Sequence, residues 1–493
     1  MRKKLLAITT VCALAMTSVV GCGNTTTTEE TTGSSDSTTA VSGDTTDTTA
    51  DGDSTGSTTT ASAKLECPDT SDWTEADKIY CYSWNDEFGS RLAYVIGSTD
   101  AAGNTLADGI DGAYPELAKY VEYVNLGVSG TDGSYQEAID TLIENNDEKF
   151  PSVIAMDNDV AKYYLEDDVT LSMESIGITS EMYANAYDFS TQYATYNGEL
   201  KGLTWQACPG NLTYRYDIAE EVLGSGEPED VQEYVKDWDS FFETADKMKE
   251  AGYKMTSGAD EIKYACFDQQ TQPWITVADD GTETLTLDSS VTDFFELSKQ
   301  LYDGDYTNNE AMWSEGWSAS YEGDVFCYFG CTWAVYWCMA FNGEEDSTYG
   351  NWRVTEGPVS YHWGGTYVGV VDGCPNTELA AFLIYSLCCD EDIMYTLACD
   401  TLDFVNNKAV IDKEIANGDG ASEILGGQNP VATWAEAAPG IDLSNASYLD
   451  SELKNYITDA AAAYNEGTLD SVDAALDYVK DQVKANYDYI TVE

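Results

Sequence analysis

The chain of 493 residues carries one histidine, His362. A single imidazole excludes most catalytic triads and any metal site built on several histidines. His362 is read as a loop or packing residue. No Cys-x-x-Cys pair occurs, so zinc-type spacing is missing as well. A glycine loop of the phosphate-cradling kind is also missing, and no internal repeat is visible. Basic residues are scarce. There are 23 Lys and Arg against 88 Asp and Glu, for a formal net charge of −65. Such a surface repels nucleic acid and anionic lipid headgroups. It also argues against an anionic ligand. Solubility outside the cell is the simplest reason for the excess.

The first 21 residues are not read as part of the fold. Arg2, Lys3 and Lys4 form a basic start, and Leu5–Val20 is mostly apolar. The stretch is too short and wrongly flanked for a spanning helix, and has the three regions of a secretory signal. Ser18-Val19-Val20-Gly21-Cys22-Gly23 at its end resembles the bacterial lipoprotein lipobox. That likeness implies cleavage before Cys22 and a lipid on its sulfur. Gly23–Ala63 is mostly Thr, Ser, Gly and Asp, without Trp, Phe, Tyr, Leu or Ile. It cannot bury enough apolar surface to offset its ordering entropy. Residues 22–70 are therefore expected to form a lipidated, disordered tether, with a reach of roughly 35 Å as a flexible coil.

Thirteen cysteines are present. Cys12 leaves with the signal and Cys22 carries the lipid, so an odd number remains. Adjacent Cys388 and Cys389 cannot readily pair with each other. Cys81, Cys266, Cys327, Cys338, Cys388 and Cys399 sit in apolar runs and are expected as small buried hydrophobes.

From residue 78 onward the chain alternates strand and helix patterns, which is α/β logic. Lys78–Ser83 reads as a strand and ends in the polar turn Trp84-Asn85-Asp86. Val121–Val124 is a second strand, and the helix after it, Gly133–Glu144, puts Tyr135, Ile139 and Leu142 on one face. Phe150–Met156 is a third strand, ending in Asp157-Asn158-Asp159. Polar groups at the carboxyl ends of strands lie where open α/β sheets place ligands. A helix opens near Asp237, Asp239 or Ser240, any of which could cap it, and Gly252 can end it.

The richest stretch is Tyr321–Tyr367. Asp324–Phe329 fits a buried strand that Gly330 interrupts, with Trp333, Tyr336 and Trp337 following at once. A second aromatic turn runs through Tyr361, His362, Trp363, Gly364, Gly365 and Thr366. The paired glycines let the backbone turn sharply or approach a ligand closely. Aromatic rings suit the apolar C–H face of a pyranose. Core packing is the other reading of the same rings.

Together these features resemble the sugar-binding lipoproteins of ABC importers, the extracellular solute-binding proteins of the maltose-binding type. The likeness rests on the lipidated start, the Thr-rich tether, the Trp-Asn-Asp turn and "PSVIAMDNDVAKYY". It continues in Tyr196–Gln206 with Leu212–Asp217, which is similar to the family's inter-lobe strand, with Thr204 in place of the usual Pro. Phe267–Trp274 resembles a ligand-side loop, which brings in Asp268. Trp333 matches the family's sugar-stacking Trp. Trp363–Val370 and Gly426–Pro430 resemble the second and third crossings, the latter leading to Trp434. The resemblance spans about Lys78 to the end.

It implies a two-lobed periplasmic-binding-protein type II fold, with three crossing segments and a central cleft. Lobe one is expected at Ser71–Ala207 plus Thr366–Leu425, and lobe two at Cys208–Gly365 plus Gly426–Glu493. Trp84, Trp333, Trp363 and Trp434 would offer ring faces. Asn85, Asp86, Asp157, Asp159, Gln206, Asp268 and Gln428 would bond hydroxyls beside Gly364 and Gly365. The implied role is capture of a neutral sugar or oligosaccharide by a monomer, lipid-anchored on the extracellular face of the cell membrane. Delivery to the permease of an ABC importer would follow, with no cofactor, metal or nucleic acid. Two other classes compete. A glycoside hydrolase could use paired carboxylates among Asp86, Glu87, Asp157 and Asp159. A surface adhesin would lack a closing cleft. Asp412–Glu423 has acids first and last like a calcium loop, but Gly418 is one place late and Ala416 fills a ligand position. It is read as a solvated loop.

Overall fold

The computed structural model describes residues 63–278, 280–339 and 345–492. The signal segment, Cys22 and most of the tether lie outside the described residues.

The main sheet has five strands in the order Val121–Asn125, Ile79–Ser83, Pro151–Asp157, Thr366–Val370 and Leu203–Thr204. The first three are parallel. Their crossovers carry helices Glu87–Ile96 and Ser134–Glu144, because parallel neighbours need a long return. Pro151–Met156 is buried at every position, as expected for a central strand covered on both faces. Thr366–Val370 enters antiparallel beside it, with Thr366 opposite Asp157. Helix Thr377–Cys388 packs on that strand and on Glu87–Ile96. It is buried from Leu379 to Cys388, and a helix apolar all round belongs inside a core.

A second sheet is antiparallel, with Gly210–Arg215 between Cys327–Cys331 and Trp352–Thr355. The expected break at Gly330 does not occur. Gly330 stays in the ladder opposite Asn211, so the strand runs on to Cys331. A third sheet joins Ile275–Val277, Glu283–Leu285 and Ile490–Val492. Its three-residue strands are too short to show a period in the sequence.

The chain leaves the main sheet after Thr204, enters the second sheet at Gly210, and returns between Thr355 and Thr366. The two connections lie side by side. The Gly210 N–H donates to the Tyr361 carbonyl at 2.6 Å, and the Trp363 N–H to that of Cys208 at 3.1 Å. A Cβ on Gly210 would stand 2.3 Å from the Tyr361 ring. Only glycine permits that approach.

Local signals resolve as follows. Asp237 is the cap, accepting from the Ser240 N–H at 2.7 Å, and left-handed Gly252 ends the helix. The closing helix is Val472–Asn486, with Ser471 as its cap. The stretch read as a solvated loop is corrected in its first half. Asn407 caps helix Lys408–Asn417, which takes in Asp412–Asn417. Among the described residues all cysteines are free, and Cys81, Cys266, Cys327 and Cys388 are buried. Cys399 is exposed and Cys338 half-buried. Cys338 still packs against the core from its rim.

Candidate ligand-binding cleft

The carboxyl ends of the first and third strands carry the expected turns side by side. Asn85 is engaged in the turn that leads into the helix, where its Oδ1 accepts from the Glu87 N–H at 3.0 Å. Asp86 accepts from the Asn125 amide at 2.6 Å. Trp84 is half-buried and meets Tyr135 edge-on, with ring centroids 5.7 Å apart. Beside them lies a carboxylate group that sequence reasoning weighed only for hydrolysis. Glu87 accepts from Gln206 at 3.3 Å and from the Thr366 hydroxyl at 3.2 Å. Arg91 stands close by and holds Asp403 through Nε at 2.7 Å and Nη2 at 2.9 Å. Burial, with Asp403 adding to it, raises the Glu87 pKa. Gln206 and Glu87 thus reach the first crossing together.

The turn after Pro151–Asp157 forms the floor. Burial first, and then the neighbouring Asp159, push Asp157 up to about 7. The Asn158 N–H donates to the Gly365 carbonyl at 3.0 Å, so the glycine turn closes directly over the acids. Gly364 and Gly365 have φ of 79° and 99°, a region that favours glycine. A small cavity of about 20 Å³ opens here, room for roughly one water-sized group. Asn158, Asp159 and Tyr193 line it from the main-sheet side. Asp268, Asp450 and Lys454 face them, and His362 comes from the second connection.

Electrostatics organise this cavity. Lys454 Nζ lies 3.7 Å from Asp159 Oδ1. Burial works against its charge, but Asp159, Asp268 and Asp450 outweigh burial and raise the Lys454 pKa. Asp268 accepts from the His362 N–H at 2.6 Å, and burial pushes its pKa up to about 7 despite Lys454. His362 is held neutral, its pKa lowered to about 3 by burial and then by Lys454. It is a packing residue, 5.4 Å from the Phe189 ring. The Asn158 backbone carbonyl accepts from the Tyr193 hydroxyl, while its side-chain Oδ1 is buried without a hydrogen-bond partner in the protein. An acceptor of that kind is costly to bury unpaired, and it is available to a ligand hydroxyl.

Tyr264 joins the polar floor to an aromatic ridge. Its hydroxyl donates to Asp159 at 3.2 Å, and its ring stacks on Trp363 at 5.1 Å. Trp363 in turn meets Trp333 at 4.9 Å. Trp333 Nε1 donates to the Trp363 carbonyl at 3.2 Å. The structure therefore brings together Asp157, Asp159, Asp268, Trp333, Trp363, Gly364 and Gly365. Gln428 and Trp434 stand apart from this group. The Gln428 amide is engaged on both sides by the Val354 backbone, at 2.9 and 2.8 Å. Trp434 is 1% exposed and packs edge-on against Phe404. Asn158, Tyr264, Asp450 and Lys454 were missed by sequence reasoning. Lys454 had one usable signal, a cation in a strongly anionic chain.

A family model described as bacterial extracellular solute-binding protein matches residues 118–421. The chain belongs to that family. Solved structures extend the likeness of this solute-binding protein across nearly the whole fold. One, described as an extracellular solute-binding protein of family 1, is 16% identical, with 82% of this chain and 99% of that one covered and a TM-score of 0.67. The ABC transporter associated binding protein from B. animalis subsp. lactis Bl-04, in complex with beta-1,6-galactobiose, is 17% identical over 85% of this chain and 99% of its own, with a TM-score of 0.60. The galacto-N-biose-/lacto-N-biose I-binding protein of Bifidobacterium longum, in complex with lacto-N-biose, is 14% identical over 84% and 98%, with a TM-score of 0.62. No curated protein matches the chain. At these identities the likeness concerns architecture, and the fold is the two-lobed one of the periplasmic binding proteins. Family and neighbours are described as binding proteins.

Proposed function

We propose that this solute-binding protein is a lipid-anchored receptor for a neutral sugar or oligosaccharide. It captures the ligand outside the cell and delivers it to the permease of an ABC importer. Lobe one is taken as Ser71–Ala207 with Thr366–Leu425, and lobe two as Cys208–Gly365 with Gly426–Glu493. The observation that carries the reading is the continuity of polar floor and aromatic ridge through Tyr264. Hydroxyls would bond the acceptors Asn158, Asp157, Asp159 and Asp268, and C–H faces would lie on Trp333 and Trp363. Each polar contact adds discrimination, since a ligand lacking the matching hydroxyl leaves a buried group unpaired. Two neighbours of the same fold were solved with disaccharides, which supports a sugar.

Closure follows the hinge logic of two-lobed receptors. The Asp159–Lys454 pair joins a turn of the main sheet to helix Asp450–Asn465. It would favour the closed form. Lipid at Cys22 and the tether of residues 22–70 would keep the receptor near its permease. A thermal-shift screen of mono- and oligosaccharides tests the proposal. Stabilisation by at least one sugar is expected, because a ligand that binds only the folded state raises its melting temperature. No stabilisation across the whole panel refutes the sugar reading.

A further inference from the structure

Trp313 was not singled out in the sequence, yet the aromatic ridge ends on it. Its ring lies parallel to Trp333, with an interplanar angle of 8° and centroids 6.2 Å apart. It also meets Trp363 at 5.7 Å and Trp317 at 5.1 Å. Exposure rises along the ridge. Trp363 is 4% exposed, Trp333 half-buried and Trp313 57% exposed. An indole left this open beside three other tryptophans is unusual, because large aromatics normally hide most of their surface.

The backbone makes the exposure more telling. Trp313 has φ of +72°. Bulky residues avoid that region, and where they occupy it the surroundings hold them there. Here the Met312 N–H donates to the Asp260 carboxylate at 3.0 Å. The Ser314 N–H donates to the Ala311 carbonyl at 3.0 Å. Both flanks are pinned, and the ring between them is turned outward. Glycine would fit this backbone without strain, so the tryptophan sits here at a conformational cost that its contacts with Trp317, Trp333 and Trp363 must offset.

We infer that Trp313 is an outer stacking residue of the same cleft and that the ligand is an oligosaccharide rather than a single sugar. One ring lies at Trp363 and Trp333, and a further ring of the chain lies on Trp313. The inference rests on the sugar reading above. A monosaccharide held at the polar floor would not reach the exposed end of the ridge. A chain of two or more rings would run along it and cover Trp313.

The test measures affinity by calorimetry for the full-length protein with malto-, cello- and galacto-oligosaccharides of one to six units. Parent, Trp313→Gly and Trp313→Ala proteins are compared. The glycine variant loses the ring contacts while relieving the backbone, two opposing effects, so its apo melting temperature is expected to stay close to the parent's. In the series that binds, affinity should rise from monosaccharide to longer chains. Trp313→Gly should cut the affinity for the longer chains by roughly tenfold, which corresponds to about 1.4 kcal/mol, and leave the monosaccharide unchanged. Ligand should also shift the parent's tryptophan emission to the blue by more than that of the variant. If a monosaccharide binds as tightly as every longer chain, the inference falls and the sugar reading stands. The inference falls equally if both variants keep the parent's chain-length dependence. If no carbohydrate binds the parent, the sugar reading falls and takes this inference with it.

Discussion

Trp333→Ala separates binding from packing at the centre of the ridge. The ring is half-buried, contacts Trp363 at 4.9 Å, and its Nε1 donates to the Trp363 carbonyl. A Cβ on Gly364 would stand 2.8 Å from that nitrogen, so the indole also props the glycine turn. Removing a fully buried Trp costs about 3–5 kcal/mol. A half-buried ring in this setting should cost less, about 2–3 kcal/mol of apo stability. Binding should suffer separately. A receptor of micromolar affinity has about 8 kcal/mol of binding free energy. A stacking aromatic in a desolvated pocket commonly accounts for about 2 kcal/mol of it or more. At about 1.4 kcal/mol per tenfold, the affinity should fall roughly thirtyfold. Chemical denaturation of the apo protein gives the first quantity, and calorimetry well below the melting temperature gives the second. A large loss of stability with unchanged affinity would place Trp333 in the core alone and refute its role in the site.

Other predictions follow from the N-terminus and the buried acids. Cys22→Ser should remove the lipid and release the protein, or leave an uncleaved precursor; mature protein still fractionating with membranes would contradict the anchor. A chain beginning at Ser71 should bind sugar as the longer mature chain does, and a tenfold loss would mean that the tether contributes to the site. Asp157 and Asp268 each have a folded pKa of about 7, above the ordinary carboxylate value. Their contribution to stability is complete below about pH 4 and is lost as pH rises through about 7. The apo melting temperature should therefore fall between about pH 4 and pH 7 and level off above that. Asp157→Asn should flatten that fall, and a slope identical to the parent's would show that Asp157 does not carry it.

Much of the fold is legible because its signals are local. The run Pro151–Met156 has the composition of a buried strand, and the acids after it sit where the strand ends. Trp363 with its two glycines announces a tight turn. Gly330 misleads for a physical reason. Glycine weakens strands on average, but here the ladder on Gly210–Arg215 holds it in register. The rest of the cleft depends on convergence. Tyr264 is one of 34 tyrosines, and Asp450 one of 88 acids. Nothing near them in the chain says that they meet Asp159. Trp313 is hidden differently, since a positive φ at a tryptophan leaves no mark in the sequence. Gln428 shows the reverse case, a well-placed polar residue whose amide bonds a strand edge.

The central claim is that the cleft holds a sugar without altering it. Equilibrium dialysis of the protein against the best ligand from the screen, followed by recovery and analysis of that ligand, tests it most directly. The account predicts one sugar bound per chain and the same sugar recovered intact after prolonged incubation. Accumulation of shorter products would make Glu87, Asp157 and Asp159 hydrolytic groups and contradict the account.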